Sequence, residues 1–388
     1  MKMRLFLIAG EASGDQLGGA LMQALRGRAD VSFSGVGGVA MVNAGLISLF
    51  PLDDLAVMGF LPVLRHLPRL IRRLDETVAA VLAERPDALI LIDSPDFTHR
   101  VARRVRKVMP DLPVIDYVSP TVWAWRSGRA HAMRDFIDHV LALLPFEPDA
   151  YRRLGGPPCS YVGHPLLERR AELAPGAQDL ERRNQDPPLI VVLPGSRRHE
   201  VARLMPIFAK VLLSLKEKIG AFEIVLPTLP HLQEEIGNHV AAWPVPVRIV
   251  ATEAEKYSAF RRARAALAAS GTVTLELALA KVPQIVAYRV APLESLARCI
   301  IEVPSIVLPN LILGKNAIPE FLQERCTPQA LANALLNILR DGPARTAQLQ
   351  AFDEIAERMA LPKGDMPSGR AADCVLKALA AKNHVGKE

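Results

Sequence analysis

The chain has 388 residues, of which 50% are hydrophobic and 23% are charged, so an intrinsically disordered protein is excluded. At about 150 residues per domain, this length predicts two or three domains. With 47 lysines and arginines against 41 aspartates and glutamates, the net charge of +6 is compatible with nucleic acid, anionic lipid or a phosphorylated substrate as a partner.

The first nine residues, MKMRLFLIA, begin like a signal peptide, but their apolar run ends at Gly10. Because a secretory core needs roughly 7–15 apolar residues, we expect a buried first strand instead. The sequence contains no stretch of about 18 apolar residues, so we expect no membrane span. The four scattered cysteines form no CxxC pair and suit a reducing cytoplasm. We therefore expect a protein that is soluble or peripheral to a membrane.

Short apolar runs alternate with helical spacing along the chain, which is typical of βαβ units and a parallel sheet. The first part predicts strands at 5–9, 88–92, 114–118 and 140–144 and helices at 13–26, 70–84 and 98–108. Residues 165–188 are polar and flanked by prolines, which indicates a domain boundary. After it, the patterns predict strands at 189–193, 223–227, 247–251, 265–269 and 284–288 and helices at 201–218 and 272–280.

These patterns predict an α/β protein with two Rossmann-like domains and a cleft between them. We place the domains at residues 1–170 and 171–345. Residues 346–388 are expected to form a helical tail that caps the second domain, packs back on the first, or mediates a homodimer.

Two glycine-containing turns in the second domain each follow a predicted strand and precede a helix. The two turns contain Gly195, Ser196, Arg197, Ser270, Gly271 and Thr272. Glu276 follows the second of them, about one turn into the next helix. Amides at a helix start bind anions, an arginine clamps a phosphate, and a carboxylate accepts hydrogen bonds from a ribose diol. Because ligands bind at the carboxyl ends of parallel strands, the pair favours a nucleotide site over two ordinary capped turns.

Acidic residues follow two strands of the first domain, with Glu11 and Asp15 after the first and Asp93 and Asp96 after another. A carboxylate in such a place can deprotonate an attacking hydroxyl, although each of the four is also compatible with capping a helix. No cluster of His, Asp or Glu has metal-ligand spacing, so we expect neither a protein-bound metal nor another cofactor.

Residues 57–73 mix bulky apolar side chains with arginines, namely Met58, Phe60, Leu61, Leu64, Arg65, Arg69, Arg72 and Arg73. An apolar face fringed by arginines favours contact with an anionic bilayer or with an acyl chain that carries a phosphate. The alternative is a core-packing helix with a solvated face. Trp123 and Trp125 are either core residues or a platform for a sugar ring.

Eight segments in this order resemble the lipid-A-disaccharide synthase family of two-Rossmann-domain (GT-B) glycosyltransferases. They are AGEASGD at 9–15, LAVMG at 55–59, DSPDF at 93–97, YVSP and WAWR between 117 and 126, VGHP at 162–165, LPGSR at 193–197, ASGT with Glu276 from 269, and LPNL at 308–311. Each is weak alone, but the ordered set spans most of the chain. Ala12, where a Thr is common, and Arg198-His199 after Arg197 depart from the pattern without putting the activity in doubt.

The resemblance implies transfer of 2,3-diacylglucosamine from UDP to the 6-hydroxyl of 2,3-diacylglucosamine 1-phosphate, with inversion, at the cytoplasmic face of the inner membrane. The product is the β(1→6) disaccharide of lipid A. By resemblance, the turn with Arg197 contacts the nucleotide, the amides of 270–272 bind the diphosphate and Glu276 binds the ribose. Asn310 is expected near the nucleotide. Asp96 is the expected general base and Glu11 the next candidate, while Asp15 orients its loop.

Two other functions stay open on the sequence. A peptidoglycan N-acetylglucosaminyltransferase also needs a membrane-facing patch and a ribose-binding glutamate, but the WAWR and LPGSR segments favour the lipid A family. A basic binding module for RNA or membrane, without catalysis, is disfavoured because the arginines do not interleave with aromatic residues, which make up only 5% of the chain. Nucleic acid is therefore not an expected partner.

Overall fold

A computed structural model describes residues 2–55, 60–124, 127–290 and 304–385, without the side chains of 60–66 and 381–385. The chain divides into two compact units, Met1–Leu167 with Leu361–Glu388, and Glu168–Ala360. Within the described ranges, no helix combines the length and the apolar character that crossing a membrane requires.

The first unit is built around a seven-stranded parallel sheet with the strand order β3-β2-β1-β4-β5-β6-β7. Its strands are β1 Met3–Ala9, β2 Val31–Val36, β3 Ile47–Ser48, β4 Ala88–Ile92, β5 Val114–Tyr117, β6 His139–Ala142 and β7 Cys159–Tyr161. Its helices up to residue 167 are α1 Ala12–Arg26, α2 Val39–Asn43, α3 Phe60–Glu84, α4 Pro95–Val108, α5 Gly128–Met133 and α6 Glu147–Arg153. The central strands β1 and β4 are continuous apolar runs because apolar cores cover both faces of the sheet.

The second unit is built around a six-stranded parallel sheet with the order β10-β9-β8-β11-β12-β13. Its strands are β8 Leu189–Leu193, β9 Glu223–Pro227, β10 Val247–Val250, β11 Ala265–Ala269, β12 Gln284–Tyr288 and β13 Glu320–Leu322. Its helices are α7 Arg170–Leu173, α8 Ala177–Arg183, α9 Arg198–Ile219, α10 Gln233–Val240, α11 Glu253–Arg262, α12 Val273–Leu279, α13 Leu308–Leu313, α14 Pro328–Leu339 and α15 Pro343–Arg358. Both sheets have the doubly wound strand order, so the prediction of two Rossmann-like domains is confirmed.

The last helix, α16 (Pro367–Val385), belongs to the first unit. It packs on α1, and Ala371, Ala372 and Val375 lie fully buried in the core beside Leu21. The tail predicted at 346–388 is therefore not one body, because α15 stays with the second unit and α16 packs back on the first. The units change at residues 167/168 and 360/361 rather than at 170/171 and 345/346.

Candidate active site

In each sheet the strand order reverses between two neighbouring strands, β1 and β4 in the first domain and β8 and β11 in the second. Ligands of doubly wound sheets bind at the carboxyl ends of the strands beside this switch point. The acidic loops follow β1 and β4, and the glycine turns follow β8 and β11. All four loops that the sequence singled out therefore lie at a switch point.

A cavity of about 520 Å³ opens at the switch point of the second sheet. The lining residues that matter below are Gly195, Ser196, Arg197, Glu200, Lys256, Ser270, Gly271, Thr272 and Glu276. This volume is within the range of roughly 300–1,000 Å³ that is usual for small-molecule sites. The fold thus brings together both predicted turns and the predicted ribose-binding glutamate.

Glu200, which the sequence analysis missed, shapes the turn after β8. Its Oε2 accepts hydrogen bonds from the amides of Ser196 (3.1 Å) and Arg197 (3.3 Å). Gly195 has a φ of 112°, and a Cβ on it would lie 2.4 Å from Glu200 Oε2. The close approach that glycine permits here is to this carboxylate. A glutamate three residues after the helix cap is the capping-box signal that predicts such a bond.

The Arg197 side chain is 55% exposed, and its Nη1 lies 3.3 Å from Glu200 Oε1. Glu200 is only 7% exposed, but its bonds to the amides of Ser196 and Arg197 do not depend on the guanidinium, which lies mostly in solvent. The guanidinium is therefore free to turn from Glu200 to an anionic ligand in the cavity at little cost.

The turn after β11 offers backbone amides to the cavity. The first N–H groups of a helix have no partner within the helix, and α12 begins at Val273. A Cβ on Gly271 would meet no atom within 4 Å, so its backbone borders open space. The Ser270 hydroxyl donates to the Ile306 carbonyl at 2.7 Å. Because that proton is already used, anion binding at this turn falls to the amides of Gly271 and Thr272.

Glu276 of α12 forms an ion pair with Lys256 of α11, with 2.8 Å between Oε2 and Nζ. Their side chains are 12% and 23% exposed, so the pair is held at the wall of the cavity. Lys256 Nζ also lies 4.7 Å from the centre of the Tyr257 ring. The ion pair thus orients the carboxylate at the cavity, as an acceptor for a vicinal diol must be oriented. Nothing in the sequence distinguishes Lys256 from an ordinary surface lysine.

Asn310 of α13 is 1% exposed and does not line the cavity. Its Oδ1 accepts from the amides of Ala317 (3.0 Å) and Ile318 (2.9 Å), and its Nδ2 donates to the Ile318 carbonyl and to Glu320 Oε1, both at 2.9 Å. These four bonds use its full hydrogen-bonding capacity. The structure therefore places Asn310 in a buried network and not at the nucleotide cavity where the resemblance placed it.

Asp96 is the most accessible of the predicted acids in the first domain. It lies in the first turn of α4 with its side chain 86% exposed, and its Oδ1 accepts a hydrogen bond from Arg129 Nη2 at 2.9 Å. Glu11 is the half-buried cap residue of α1. Asp96 is thus the carboxylate that a substrate hydroxyl reaches most easily.

Asp15 is 5% exposed and holds the start of α2. Its carboxylate accepts hydrogen bonds from the amides of Gly38 (2.8 Å), Ala40 (2.9 Å) and Met41 (3.0 Å). With three amides bound to its buried carboxylate, Asp15 anchors the turn that leads from β2 into α2. It is poorly placed to move a substrate proton. The part of the chain that the structure describes holds no group of three or more His, Cys, Asp or Glu side chains suited to a metal ion.

The loops after β1 and β4 touch each other. Ser13 Oγ donates to Asp93 Oδ2 at 3.2 Å, and a Cβ on Gly10 would lie 2.1 Å from Ser94 Cβ. Asp93 and Ser94 have φ values of 60° and 47°, in the left-handed region that non-glycine residues rarely adopt. Strain on the order of 1–3 kcal/mol per residue is typical of functional loops. Here the contacts with Gly10 and Ser13 hold both residues in this conformation, directly before the helix that carries Asp96.

Asp54, which is 4% exposed, binds two of the arginines that were expected at a membrane face. Arg73 Nε and Nη2 lie 2.8 and 2.5 Å from Asp54 Oδ2, its guanidinium lies 4.5 Å from the Phe50 ring centre, and Arg69 pairs with Asp54 Oδ1. The membrane assignment is therefore corrected for Arg73, whose charge is used inside the domain, whereas Arg72 is exposed. Outside the described residues lie Met58 and the side chains of Phe60, Leu61, Leu64 and Arg65.

Trp123 is half-buried, and two contacts fix the position of its ring. Its indole Nε1 donates to Glu147 Oε1 at 3.0 Å, and its ring meets Phe146 edge-on at 5.0 Å. Glu147 is 3% exposed and also accepts from the Leu144 amide at 2.8 Å. Burial raises the pKa of Glu147 to about 7, despite these hydrogen bonds. Trp125 lies outside the described residues.

Comparison with known proteins matches residues 5–365 to the model of the lipid-A-disaccharide synthetase family. The lipid-A-disaccharide synthase of Nitrobacter hamburgensis is 56% identical over 381 residues, which cover 97% of this chain and 96% of that protein. The lipid-A-disaccharide synthase of Bradyrhizobium diazoefficiens is 52% identical over 381 residues and covers 97% of each. The family resemblance predicted from the sequence is confirmed.

Solved structures of low sequence identity share the fold. The S. aureus MnaA-UDP co-structure has a TM-score of 0.63 at 11% identity and covers 100% of this chain and 98% of that one. MurG of Acinetobacter baumannii has a TM-score of 0.57 at 13% identity and covers 97% and 99%. A putative UDP-N-acetylglucosamine 2-epimerase of Listeria monocytogenes has a TM-score of 0.61 at 14% identity and covers 100% and 98%.

Proposed function

The chain belongs to the lipid-A-disaccharide synthase family, and from that premise we propose that it joins two acylated glucosamine units. The donor is UDP-2,3-diacylglucosamine and the acceptor is 2,3-diacylglucosamine 1-phosphate. The products are the β(1→6) lipid A disaccharide 1-phosphate and UDP. The observation that carries this proposal is the cavity at the switch point of the second sheet, where Arg197, the amides of the turn after β11 and Glu276 converge.

The second domain binds the nucleotide of the donor. The amides of Gly271 and Thr272 hold the diphosphate, Arg197 turns from Glu200 to the phosphate oxygens, and the Glu276 carboxylate accepts hydrogen bonds from the ribose hydroxyls. As the bond from C1 to the UDP oxygen breaks, negative charge grows on the departing diphosphate. Preorganised N–H donors and a guanidinium stabilise that charge without a metal.

The first domain binds the acceptor and supplies the base. Asp96 takes the proton of the 6-hydroxyl while the oxygen forms its bond to C1 and UDP leaves with the bonding electrons. One direct displacement inverts the anomeric centre and needs a single general base, which is usually worth about 10²–10⁴-fold in rate. Asp96 suits this role because it is exposed in the first turn of α4, which directly follows the strained residues Asp93 and Ser94.

Association with the cytoplasmic face of the inner membrane follows from substrates with acyl chains. On α3, Leu67 and Ile71 are 41% and 46% exposed. The exposed Arg72 directly follows Ile71, and the phosphates of anionic lipid attract it. This described part of the predicted segment is the surface we assign to the membrane.

The test is an assay of purified protein with synthetic UDP-2,3-diacylglucosamine and 2,3-diacylglucosamine 1-phosphate, with and without EDTA. We expect disaccharide and UDP in equal amounts, at the same rate in both arms. A parallel arm offers UDP-N-acetylglucosamine and a lipid-linked muropeptide. Transfer in that arm alone would refute the proposal in favour of a peptidoglycan glycosyltransferase.

A further inference from the structure

A buried polar cluster lies behind the turn after β11, outside the residues that line the cavity. It consists of Ser305, which is 4% exposed, Asn310, which is 1% exposed, and the half-buried Glu320 at the first position of β13. Buried polar groups of this kind are kept only where hydrogen bonds satisfy them, so their partners indicate what the cluster holds in place.

Glu320 is the centre of the cluster. Its Oε1 accepts hydrogen bonds from the Ser305 hydroxyl and from Asn310 Nδ2, and its Oε2 accepts from the Ile306 amide at 3.0 Å. Asn310 also binds the Ala317 and Ile318 backbone and so fixes the segment that leads into β13. One carboxylate therefore binds both the side chain of Ser305 and the backbone amide of the next residue.

The cluster reaches the cavity through the backbone of a single residue, Ile306. Glu320 holds the amide of Ile306, and the carbonyl of the same residue accepts the Ser270 hydroxyl at 2.7 Å. Ser270 directly precedes Gly271 and Thr272, whose amides border the cavity. A shift of Ile306 is thus transmitted to the turn without any contact between Glu320 and a ligand.

We propose that Glu320 is a positioning residue for the diphosphate-binding turn, which it orients through the Ile306 backbone and the Ser270 hydroxyl. This inference rests on the proposed function, since it assumes that the turn binds a diphosphate. Asn310 supports Glu320 from behind, which gives the LPNL segment a task in the site without contact to the nucleotide.

The test is the affinity of the full-length protein for UDP and for uridine, measured by calorimetry and ligand-observed NMR. In Glu320→Gln, an NH₂ group replaces one carboxylate oxygen and cannot accept the hydrogen bonds made there. We expect UDP to bind about five- to tenfold more weakly, as for one lost hydrogen bond, and uridine to bind unchanged because it lacks the diphosphate. Glu217→Gln, on the exposed side of α9, is the matched control and leaves both affinities unchanged.

A double-mutant cycle tests the route. Ser270→Ala breaks the same link at its other end, so we expect Ser270→Ala combined with Glu320→Gln to weaken UDP binding no more than the stronger single variant. Full additivity overturns the route through Ser270, and equal losses for UDP and uridine overturn a role specific to the diphosphate. If Glu320→Gln does not fold, Ser305→Ala, which removes one donor to the carboxylate, takes its place with the same expectations.

The outcomes separate this inference from the proposed function. Wild-type protein that binds neither UDP nor uridine refutes the nucleotide site itself. Wild-type protein that binds UDP, with a Glu320→Gln variant indistinguishable from Glu217→Gln, refutes only the positioning role.

Discussion

Replacing Glu147 by glutamine offers a quantitative test of the environment around Trp123. Burial raises the pKa of Glu147 from 4.5 to about 7. Between these values the folded state holds a proton that the unfolded state releases, so the contribution of Glu147 to stability falls as the pH rises. At about 1.36 kcal/mol per pKa unit, the loss between pH 5 and pH 8 is about 2 to 3 kcal/mol. Glutamine is neutral throughout and lacks this loss.

We therefore expect the stability of Glu147→Gln, relative to wild type, to increase by about 2 to 3 kcal/mol between pH 5 and pH 8. Urea unfolding of both proteins at the two pH values, followed by tryptophan fluorescence in a Trp243→Phe background, measures the difference. That background removes the signal of the tryptophan in the second domain, and Trp123 itself reports on the bond to Glu147.

Other groups near Glu147 do not disturb the comparison. Burial holds the pKa values of Tyr151 and Cys159 well above their ordinary values, so both stay neutral over this range. Burial lowers the pKa of His164 to about 4, so its contribution is present above pH 6.5 and is lost as the pH falls, but it is the same in both proteins. A difference between the two proteins that is equal at pH 5 and pH 8 would show that Glu147 is not a buried, protonated acid.

Three further predictions concern the two switch points. Asp96→Asn should keep UDP affinity and lose at least a hundredfold in turnover, measured as UDP release, whereas a rate within about threefold of wild type removes Asp96 as the base. Arg197→Ala should weaken UDP by about tenfold in calorimetry, and an unchanged dissociation constant removes it from the nucleotide site. Lys256→Met should weaken UDP and uridine alike, because Glu276 loses the partner that orients it; intact affinity for both contradicts this role of the ion pair.

The sheets of both domains were predictable because their strands are local apolar runs. The predictions at 88–92, 189–193, 223–227, 265–269 and 284–288 have the bounds of β4, β8, β9, β11 and β12. Strand β2 was not predicted because Ser32, Ser34 and Gly35 break its apolar run, and the edge strands β3, β7 and β13 were not predicted because they have only two or three residues. Helix α3 was predicted only from residue 70, because Pro68 precedes that point. The helix in fact begins at Phe60 and has Pro68 inside it.

The site was predictable where a motif follows a strand and was not where the partner comes from elsewhere in the chain. The turns at 195–197 and 270–272 are local signals, and the parallel sheet brings them together. Lys256 and Glu320 gain their importance only from contacts with Glu276 and Ile306, which no spacing in the sequence encodes. The role of Arg73 was not predictable for the same reason, because its partner Asp54 precedes α3.

The position of α16 has a consequence for how the chain folds during synthesis. Residues 168–360 form a contiguous unit, whereas the core of the first domain is completed by side chains of α16. Domains usually fold on the ribosome from the N-terminus onward, each as its segment emerges. Here the order is reversed, because the face of the first sheet that α1 covers stays only partly covered until residues 367–385 have been translated. The domain that is made first is thus the last to complete its core.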